Sequence, residues 1–421
     1  MRALATAWRG LLAFLDEHDL GDFELSIGSQ AFTIFRHRFL DHPIVIHADA
    51  RADELERRAC FGALYQPCFA GIAPCDNYYY LDTNAMYPWV MATRLLPWRL
   101  VGVAGRMPVN ALARKLDRYL VVASVRVCTD EARYPTKHGG KTVYASGEFT
   151  TTLTTPDLQH AVRAGHISEV LAAAWYDGEI LFSGFVNELW GLRRQYAAVG
   201  KNDLAKLIKA WMVALYGRWG VKRYEVRHET DCGPDEVGTG AFINAESGEQ
   251  CEYYQLAGQM WTVRRGGESA NSFPTIMAHI AAHGRNRLWR LREQAGARNT
   301  FVLLSDGLIV NQAGYERLAS EIDVDRLGAL KLKMSSDKLT TYSDVEFVLG
   351  DHNWTPGVPN NGVQVDDGVI VAQKEPRLGW QLQSKNAARY VVRQQVMQPQ
   401  REFHCGVVGK DGWLIPLRLP R

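Results

Sequence analysis

The chain has 421 residues, 47% of them hydrophobic, which is enough to fill two or three hydrophobic cores. Its 48 basic and 46 acidic residues nearly cancel, so any basic channel for nucleic acid must come from a local arrangement of side chains. No stretch approaches about 18 uninterrupted apolar residues, and the sequence therefore predicts no membrane-spanning helix.

The cysteines and histidines give no metal-binding pattern. The seven cysteines are odd in number and contain no Cys-x-x-Cys pair, which favours reduced cytosolic thiols. His279 and His283 are four residues apart, but Ile280 stands where a zinc protease motif has glutamate, so we expect packing histidines. The apolar residues 11–15 are interrupted at Asp16, which argues against a signal peptide.

Periodicity and chain breakers predict a mixture of helices and strands along the chain. The first 72 residues contain a short helix, an alternating segment from Phe23 to Phe35 and a charged helix at 50–58. We then expect a buried strand at 119–127, a helix at 156–164, a strand at 167–174, helices at 182–196 and 203–216, a β-ribbon within 227–265, and a strand-rich tail from about 326.

Two isolated aspartates follow buried strands. Asp82 ends an apolar run and is followed by a turn that contains Tyr87 and a proline; Asp306 stands between two apolar strands within residues 301–310. An aspartate in such a place often only forms a turn. If the two carboxylates met in one site, they would hold two divalent cations for phosphoryl or nucleotidyl transfer.

An apolar helix interrupted by glycine, at residues 207–220, lies between the two aspartates. With this order the chain resembles family B DNA polymerases. Residues 82–88 resemble the first palm motif of that family, residues 209–217 its fingers-helix motif, and the strand around Asp306 its second metal-ligand hairpin. The resemblance is to the viral and plasmid members related to the protein-primed group, and it covers nearly the whole chain.

The resemblance implies an α+β right-hand fold with palm, fingers and a thumb-like C-terminal region. It divides the chain into five regions. They are an N-terminal region with the template-contacting turn (1–72), the first part of the palm (73–180), a fingers helical hairpin (181–220), the second part of the palm with an insertion at 227–265 (221–325), and the thumb and C-terminal region (326–421).

The resemblance also assigns roles in nucleotide addition. Asp82 and Asp306 would bind the metal ions, Mg²⁺ or Mn²⁺, and Lys209 would bind the triphosphate together with Arg193 or Arg194. Tyr87 would pack beneath the deoxyribose and exclude a 2′-hydroxyl, the group that distinguishes RNA from DNA. Tyr216 and Gly217 would lie under the nascent base pair, where glycine permits close approach of the backbone.

Contacts with DNA are implied at two places. The turn Phe61, Gly62 and Ala63 resembles the glycine-rich turn that contacts the template, and Lys331 and Lys338 lie in segments that follow the palm. The expected partners are a DNA primer-template and dNTPs, together with a priming or accessory protein, and no membrane. The resemblance implies the cytoplasm of a bacterium or of a virus-infected host cell.

The chain departs from the family at several positions. Leu304 replaces the second aspartate of the metal hairpin, Val213 replaces an asparagine of the fingers helix, and residues 345–347 replace a Lys-x-Tyr contact with the primer. Only about 60 residues precede the glycine-rich turn, too few for the usual exonuclease domain, so we expect no proofreading.

The expected function is DNA-directed DNA polymerase activity. These departures leave two alternatives open. One is a catalytically weak or inactive polymerase-like module that binds DNA; the other is a template-independent terminal nucleotidyltransferase.

Overall fold

The computed structural model of the chain describes residues 2–233, 236, 238–243, 250–256, 258–354, 363–366, 369–374, 393–397 and 401–419. They belong to two compact units. The larger unit contains Met1–Gly220, Phe273–Asn353 and Glu402–Arg421, and the smaller contains Val221–Ser272 and Trp354–Arg401.

The α-helices of the described residues all belong to the larger unit. They are Arg2–Glu17 (α1), Ile27–Ile34 (α2), Ala50–Arg58 (α3), Met86–Thr93 (α4), Val109–Leu116 (α5), Thr155–Arg163 (α6), Ser183–Ala198 (α7), Asn202–Arg218 (α8), Pro274–Ala295 (α9) and Gln312–Arg317 (α10). A π-helical turn, Phe35–Phe39, continues α2, and short 3₁₀ turns occur at Ala297–Asn299 and Ala319–Glu321.

The strands complete both units. Those before α7 are Leu64–Pro67 (β1), Gly71–Ile72 (β2), Tyr78–Thr83 (β3), Leu96–Ala104 (β4), Leu120–Thr129 (β5), Pro135–His138 (β6), Lys141–Tyr144 (β7), Ser146–Thr154 (β8) and Ile167–Glu179 (β9). Those after them are Lys222–Asp231 (β10), Gly238–Ile243 (β11), Gln250–Leu256 (β12), Gln259–Glu268 (β13), Thr300–Ser305 (β14), Gly307–Asn311 (β15), Leu330–Ser336 (β16), Leu339–Thr341 (β17), Phe347–Leu349 (β18), His352–Trp354 (β19), Val363–Asp366 (β20), Val369–Lys374 (β21), Arg393–Met397 (β22), Gly406–Val408 (β23), Leu414–Pro416 (β24) and Arg418–Leu419 (β25).

A five-stranded antiparallel sheet in the order β1-β14-β15-β3-β16 forms the centre of the larger unit. Its core includes Leu81, Leu303 and Leu308, each fully buried, which pack against the apolar side of α9. Strand β16 belongs to this sheet, although the sequence assigned its residues to the region after the palm. The sheet therefore holds both predicted aspartates and Lys331.

A second five-stranded sheet, in the order β25-β8-β5-β9-β4, packs against α5 and α6. Its central strand β5 has six consecutive buried residues, as expected for a strand covered on both faces. Strand β9 and helix α6 confirm the elements predicted at 167–174 and 156–164.

Helices α7 and α8 form the predicted antiparallel hairpin. Gly200 makes the turn between them with a φ of +75°, which glycine adopts without the steric cost of a Cβ. The buried face of α8 carries Ile208, Trp211, Met212 and Leu215, so its other face is left for polar contacts.

The alternating segment from Phe23 to Phe35 is not a strand. Ser26 caps α2 here by accepting a hydrogen bond from the peptide N–H of Ser29 at 3.0 Å. Ala31 and Ile34 are fully buried against the other helices, and the Phe32 ring lies 5.4 Å from the Trp219 ring. Tertiary packing therefore overrides the local alternation.

The smaller unit is built from strands among the described residues. The alternating residues predicted as a β-ribbon form an antiparallel sheet in the order β10-β13-β12-β11, and β20, β21 and β22 form a second one. The prolines and Asn-Asn-Gly of the tail, within 356–362, lie outside the described residues.

No described helix is long and apolar enough to cross a membrane. The α+β prediction is confirmed.

Candidate active site

Asp82 is the penultimate residue of β3 and is only 3% exposed. On one side its neighbour in the sheet is Gly307, and on the other it is Lys331. A Cβ on Gly307 would lie 2.4 Å from the carbonyl oxygen of Leu81, so only glycine allows the two strands to approach here.

Asp306 lies in the tight turn between β14 and β15. Ser305, the preceding turn residue, has a left-handed φ of +51°, and Leu304 pairs with Gly307 across the turn. The carbonyl oxygen of Asp306 accepts a hydrogen bond from the peptide N–H of Thr83 at 2.7 Å. The turn is thus held at the end of β3, and the two predicted aspartates meet at one end of the interior strands β3, β14 and β15.

The two carboxyl groups are close enough to affect each other. Burial, followed by the negative charge of Asp82 and a hydrogen bond with it, raises the pKa of Asp306 to about 6, although Lys333 opposes the increase. A cation between the two groups would remove this repulsion.

Two ammonium groups lie against Asp82. Lys331 Nζ is 3.2 Å from Oδ2, and Lys333 Nζ is 3.0 Å from Oδ1. Oδ1 is nevertheless buried and accepts no well-aligned hydrogen bond from the described residues. An anionic pair with an oxygen that lacks a hydrogen bond has the donor chemistry that Mg²⁺ and Mn²⁺ prefer, so these residues fit a divalent metal.

Helix α8 presents Lys209, Val213, Tyr216 and Gly217 on the side opposite its apolar face, since these residues are three or four positions apart. Desolvation lowers the pKa of Lys209, and the charges of Lys331 and Arg193 lower it further, whereas Asp82 and Asp306 raise it. These five charged groups are therefore close enough for their charges to interact, and together they define the cleft.

The structure distinguishes the two candidate arginines. Arg193 packs over the Trp190 ring at 4.8 Å and is close enough to Lys209 to affect its pKa. Arg194 is exposed and its guanidinium lies 3.9 Å from Asp325. Arg193, not Arg194, lies with the charged groups of the cleft.

The rings of Tyr87 and Tyr216 pack against each other beside the cleft. Their ring centroids are 4.5 Å apart, and burial raises the pKa of the Tyr87 hydroxyl, with smaller contributions that include the charge of Asp306. A Cβ on Gly284 of α9 would lie 3.0 Å from Cε1 of Tyr87. Gly284 therefore makes room for this ring beside the aspartates.

The turn at Phe61, Gly62 and Ala63 is held in place by a buried arginine. The buried Arg285 donates hydrogen bonds to the carbonyl oxygens of Phe61 and Gly62, each at 3.2 Å, and pairs with Asp157 at 3.2 Å. The Phe61 side chain is buried, whereas Gly62 is exposed with open space where a Cβ would be. The backbone at Gly62 is therefore available to a partner.

The two lysines predicted to contact DNA, Lys331 and Lys338, lie in different surroundings. Lys331 forms an ion pair with Asp82, while Lys338 lies in the exposed turn between β16 and β17. Sequence reasoning missed Lys333, Gly284 and Arg285. Lys333 could have been found from its spacing, because residues two apart on a strand share a face and Lys331 was already a candidate.

The departures from the family pattern occupy definite positions. Leu304 is 2% exposed within the sheet, so no carboxylate stands there. Val213 is 39% exposed, between Lys209 and Gly217 on the open side of α8. Phe347 is buried in β18, together with Glu346 immediately before it.

The five-stranded antiparallel sheet carries two neighbouring aspartates at the ends of its interior strands, and a helical hairpin brings cationic side chains towards them. This arrangement is that of a polymerase of the right-hand class. Residues 21–241 match the family model described as "DNA polymerase type B, organellar and viral". The chain belongs to this family. DNA polymerases of this family use divalent metal ions.

Solved structures of phi29 DNA polymerase share the fold. The structure of its ternary complex with primer-template DNA and incoming nucleotide substrates aligns with a TM-score of 0.56 at 13% identity, and its orthorhombic crystal form aligns with a TM-score of 0.58 at 14% identity. In each case the alignment covers 91% of this chain and 61% of the phi29 chain, so this chain spans about three fifths of its length. No curated protein sequence matches the chain.

Proposed function

We propose that the chain is a DNA-directed DNA polymerase that adds dNTPs to the 3′-hydroxyl of a primer. The observation that carries this proposal is the approach of Asp82 and Asp306, with the cationic Lys209 and Arg193 on the same cleft. Carboxylates that hold metal and cations that hold phosphate are both needed for this transfer.

Asp82 and Asp306 would hold the metal ions, for which we propose Mg²⁺, with Mn²⁺ as the substitute. When bound, such a pair lowers the pKa of the attacking hydroxyl and neutralises the leaving pyrophosphate. Asp82 is buried, so its charge is little screened by solvent and it gives a strong metal ligand.

Lys209 and Arg193 would bind the triphosphate. Desolvation lowers the pKa of each side chain, because it makes the charged form less stable than it is in water. A polyanion bound in the cleft would stabilise both charged forms through charge-assisted hydrogen bonds. Because they lie on neighbouring helices of one hairpin, both can act on the same substrate.

Tyr87 would select the sugar of the incoming nucleotide. Its ring is fixed by contact with Tyr216 and by the close approach of Gly284, so it would not yield readily to an added 2′-hydroxyl. We therefore propose dNTPs, rather than ribonucleotides, as substrates.

The proposed partners are a primer-template DNA and a priming or accessory protein, in the cytoplasm of a bacterium or of an infected host cell. The ternary complex of phi29 DNA polymerase contains primer-template DNA and incoming nucleotides, and its binary complex contains primer-template DNA, which supports the first of these by analogy. The exposed Gly62 would approach the template, and Lys338 would bind the DNA backbone.

A weak or inactive polymerase-like module is the second candidate. It is favoured by the ion pairs of Asp82 with Lys331 and Lys333, because the two ammonium groups compete with metal for this carboxylate. Val213, which cannot hydrogen-bond a base pair, favours low fidelity or template-independent addition.

A primer-extension assay separates these candidates. A labelled primer is incubated with dNTPs and Mg²⁺, with a complementary template, with a non-complementary strand, and alone. A DNA polymerase extends the primer only with the template and incorporates complementary nucleotides. Extension of the primer alone would identify a terminal transferase, and primer-template binding without extension would identify an inactive module.

A further inference from the structure

A cavity of about 350 Å³ lies behind the proposed active site, between α4, α6 and α9. Trp89 lines it from α4, whereas Tyr87, two residues earlier, faces the cleft. Residues two positions apart in an α-helix are separated by about 200° around its axis, so these two side chains point to opposite sides. Five arginines line the cavity: Arg94, Arg133, Arg163, Arg287 and Arg290.

The positive charge of this cavity is only partly neutralised. Arg133 pairs with Glu293 and Arg287 pairs with Glu321, each at 2.7 Å. Arg94, Arg163 and Arg290 have no carboxylate partner among the residues that the structure describes. Arg163 and Arg290 are exposed to solvent and Arg94 is half-buried, so the cavity is partly open and these three guanidinium groups are accessible to an anion.

The like charges are close enough to affect one another. Burial lowers the pKa of Arg94, and the charges of Arg290 and Arg287 lower it further. His283, which also lines the cavity, has a pKa lowered to about 3, first by burial, then by His279 and by the charges of Arg94 and Arg290. It is therefore a neutral hydrogen-bonding group at physiological pH.

Several groups are already oriented for a ligand. The guanidinium groups of Arg94 and Arg287 lie 5.1 Å and 5.4 Å from the centroid of the Trp89 ring, so cation–π contacts hold both side chains. The Nε atoms of Arg133 and Arg287 are buried and have no hydrogen-bond partner within the described part of the chain. An anion with several oxygens would satisfy such donors.

We propose that this cavity binds a small phosphate-bearing anion of about the size of pyrophosphate, outside the polymerase cleft. Guanidinium groups bind phosphate oxygens through paired, charge-assisted hydrogen bonds, and the volume lies near the lower limit for small-molecule pockets. The anion can come from two sources, free pyrophosphate or the 5′-terminal phosphate of a DNA strand. The site does not depend on the proposed polymerase activity.

Protection of arginines from chemical modification tests the site directly. The full chain carrying Lys209→Ala, which weakens phosphate binding in the cleft, is treated with phenylglyoxal in EDTA, and modified peptides are quantified by mass spectrometry. We expect pyrophosphate, compared with chloride at equal ionic strength, to slow modification of Arg94, Arg163 and Arg290 several-fold. The exposed Arg114 on α5 should be modified at an unchanged rate.

Short oligonucleotides distinguish the sources. If a 5′-phosphorylated strand protects these arginines and pyrophosphate does not, the ligand is a strand end. Equal protection by phosphorylated and unphosphorylated strands would indicate a general DNA surface and would overturn the proposal. Absence of protection by either pyrophosphate or a phosphorylated strand would also overturn it.

A matched pair of variants gives a second, independent measurement. In the same Lys209→Ala background, Arg290→Gln removes one uncompensated charge, whereas Arg114→Gln removes an exposed charge elsewhere. We expect Arg290→Gln to raise the Tm of the anion-free chain and to abolish the Tm increase that pyrophosphate produces. An undiminished pyrophosphate effect in Arg290→Gln would contradict the proposal.

Discussion

The ammonium group of Lys333 lies 3.0 Å from Oδ1 of Asp82, the buried carboxylate oxygen that accepts no well-aligned hydrogen bond within the described part of the chain. Lys331 lies 3.2 Å from the other oxygen of the same carboxylate. In the absence of metal, these two lysines balance the charge of Asp82. A metal ion at this position must therefore compete with them or displace them.

The first prediction concerns this competition. Lys333→Gln should lower the Mg²⁺ concentration at which nucleotide incorporation is half-maximal, because one competing cation is removed. It should also lower the Tm of the metal-free chain, since Asp82 loses a partner. Lys141→Gln, at an exposed position of β7, is the control and should change neither value. An unchanged Mg²⁺ dependence in Lys333→Gln would show that the lysine does not compete.

The second prediction concerns the pH dependence of stability in EDTA. Burial and Asp82 raise the pKa of Asp306 to about 6, so protonation of Asp306 stabilises the folded chain, and this stabilisation is lost as the pH rises through about 6. Asp306→Asn has no such titration. At pH 7 the variant should therefore have a Tm a few degrees above that of the unmodified chain, and the difference should shrink at pH 5. A Tm difference between the two chains that grows at pH 5 would contradict a raised pKa of Asp306.

The third prediction separates the two neighbouring arginines. Arg193→Gln should raise the KM for dNTPs by roughly tenfold, which corresponds to about 1.4 kcal/mol, because a phosphate contact is lost. Arg194→Gln removes the same charge one residue later, where the side chain faces Asp325, and should leave the KM nearly unchanged. Equal effects of the two substitutions would remove Arg193 from the nucleotide site.

The fourth prediction concerns sugar selection. Tyr87→Ala opens the space that the ring fills and should increase ribonucleotide incorporation relative to deoxyribonucleotide incorporation. Tyr79→Phe is a suitable control, because Tyr79 stacks on Tyr315 with ring centroids 4.2 Å apart, away from Tyr216 and Gly284. Kinetics with both nucleotide types measure the ratio. An unchanged ratio in Tyr87→Ala would reduce Tyr87 to a packing residue.

The fifth prediction is that these 421 residues do not proofread. Asp22 is exposed, and the Glu24 carboxylate accepts a hydrogen bond from Thr33 at 3.1 Å, so it serves the local structure around α2. Neither belongs to a metal-competent cluster of three or more ligands within the described residues. A labelled primer with a mismatched 3′ end should stay intact with the chain and Mg²⁺. Shortening that disappears in an Asp22→Ala, Glu24→Ala double variant would identify a nuclease site here.

The sequence predicted the parts of the site that depend on motifs and local order. Asp82 and Asp306 were recognisable because each follows an apolar strand, and Lys209 because the glycine-interrupted helix between them resembles the fingers-helix motif of the family. Lys333 and Arg285 were missed because their partners, Asp82 and the carbonyls of the Phe61–Gly62 turn, are distant in sequence and no local pattern connects them. Helix α2 was missed because packing against other helices, rather than its own alternation, determines its structure.

The choice between Arg193 and Arg194 illustrates the same limit. Consecutive helical residues point about 100° apart, so sequence alone could not say which of the two faces Lys209. The answer came from the way in which α7 packs beside α8 and from the nearby Asp325.

The most direct test of the account is single-nucleotide incorporation by Asp82→Asn and Asp306→Asn on a primer-template with saturating dNTP and Mg²⁺. Each variant should lose roughly 10³-fold or more in rate, because removing a metal ligand costs several kcal/mol of transition-state stabilisation. Asp117→Asn, an exposed residue at the end of α5, should retain full activity. All three should keep a cooperative unfolding transition. Undiminished incorporation by either Asp82→Asn or Asp306→Asn would contradict the claim that these two carboxylates form the catalytic metal site.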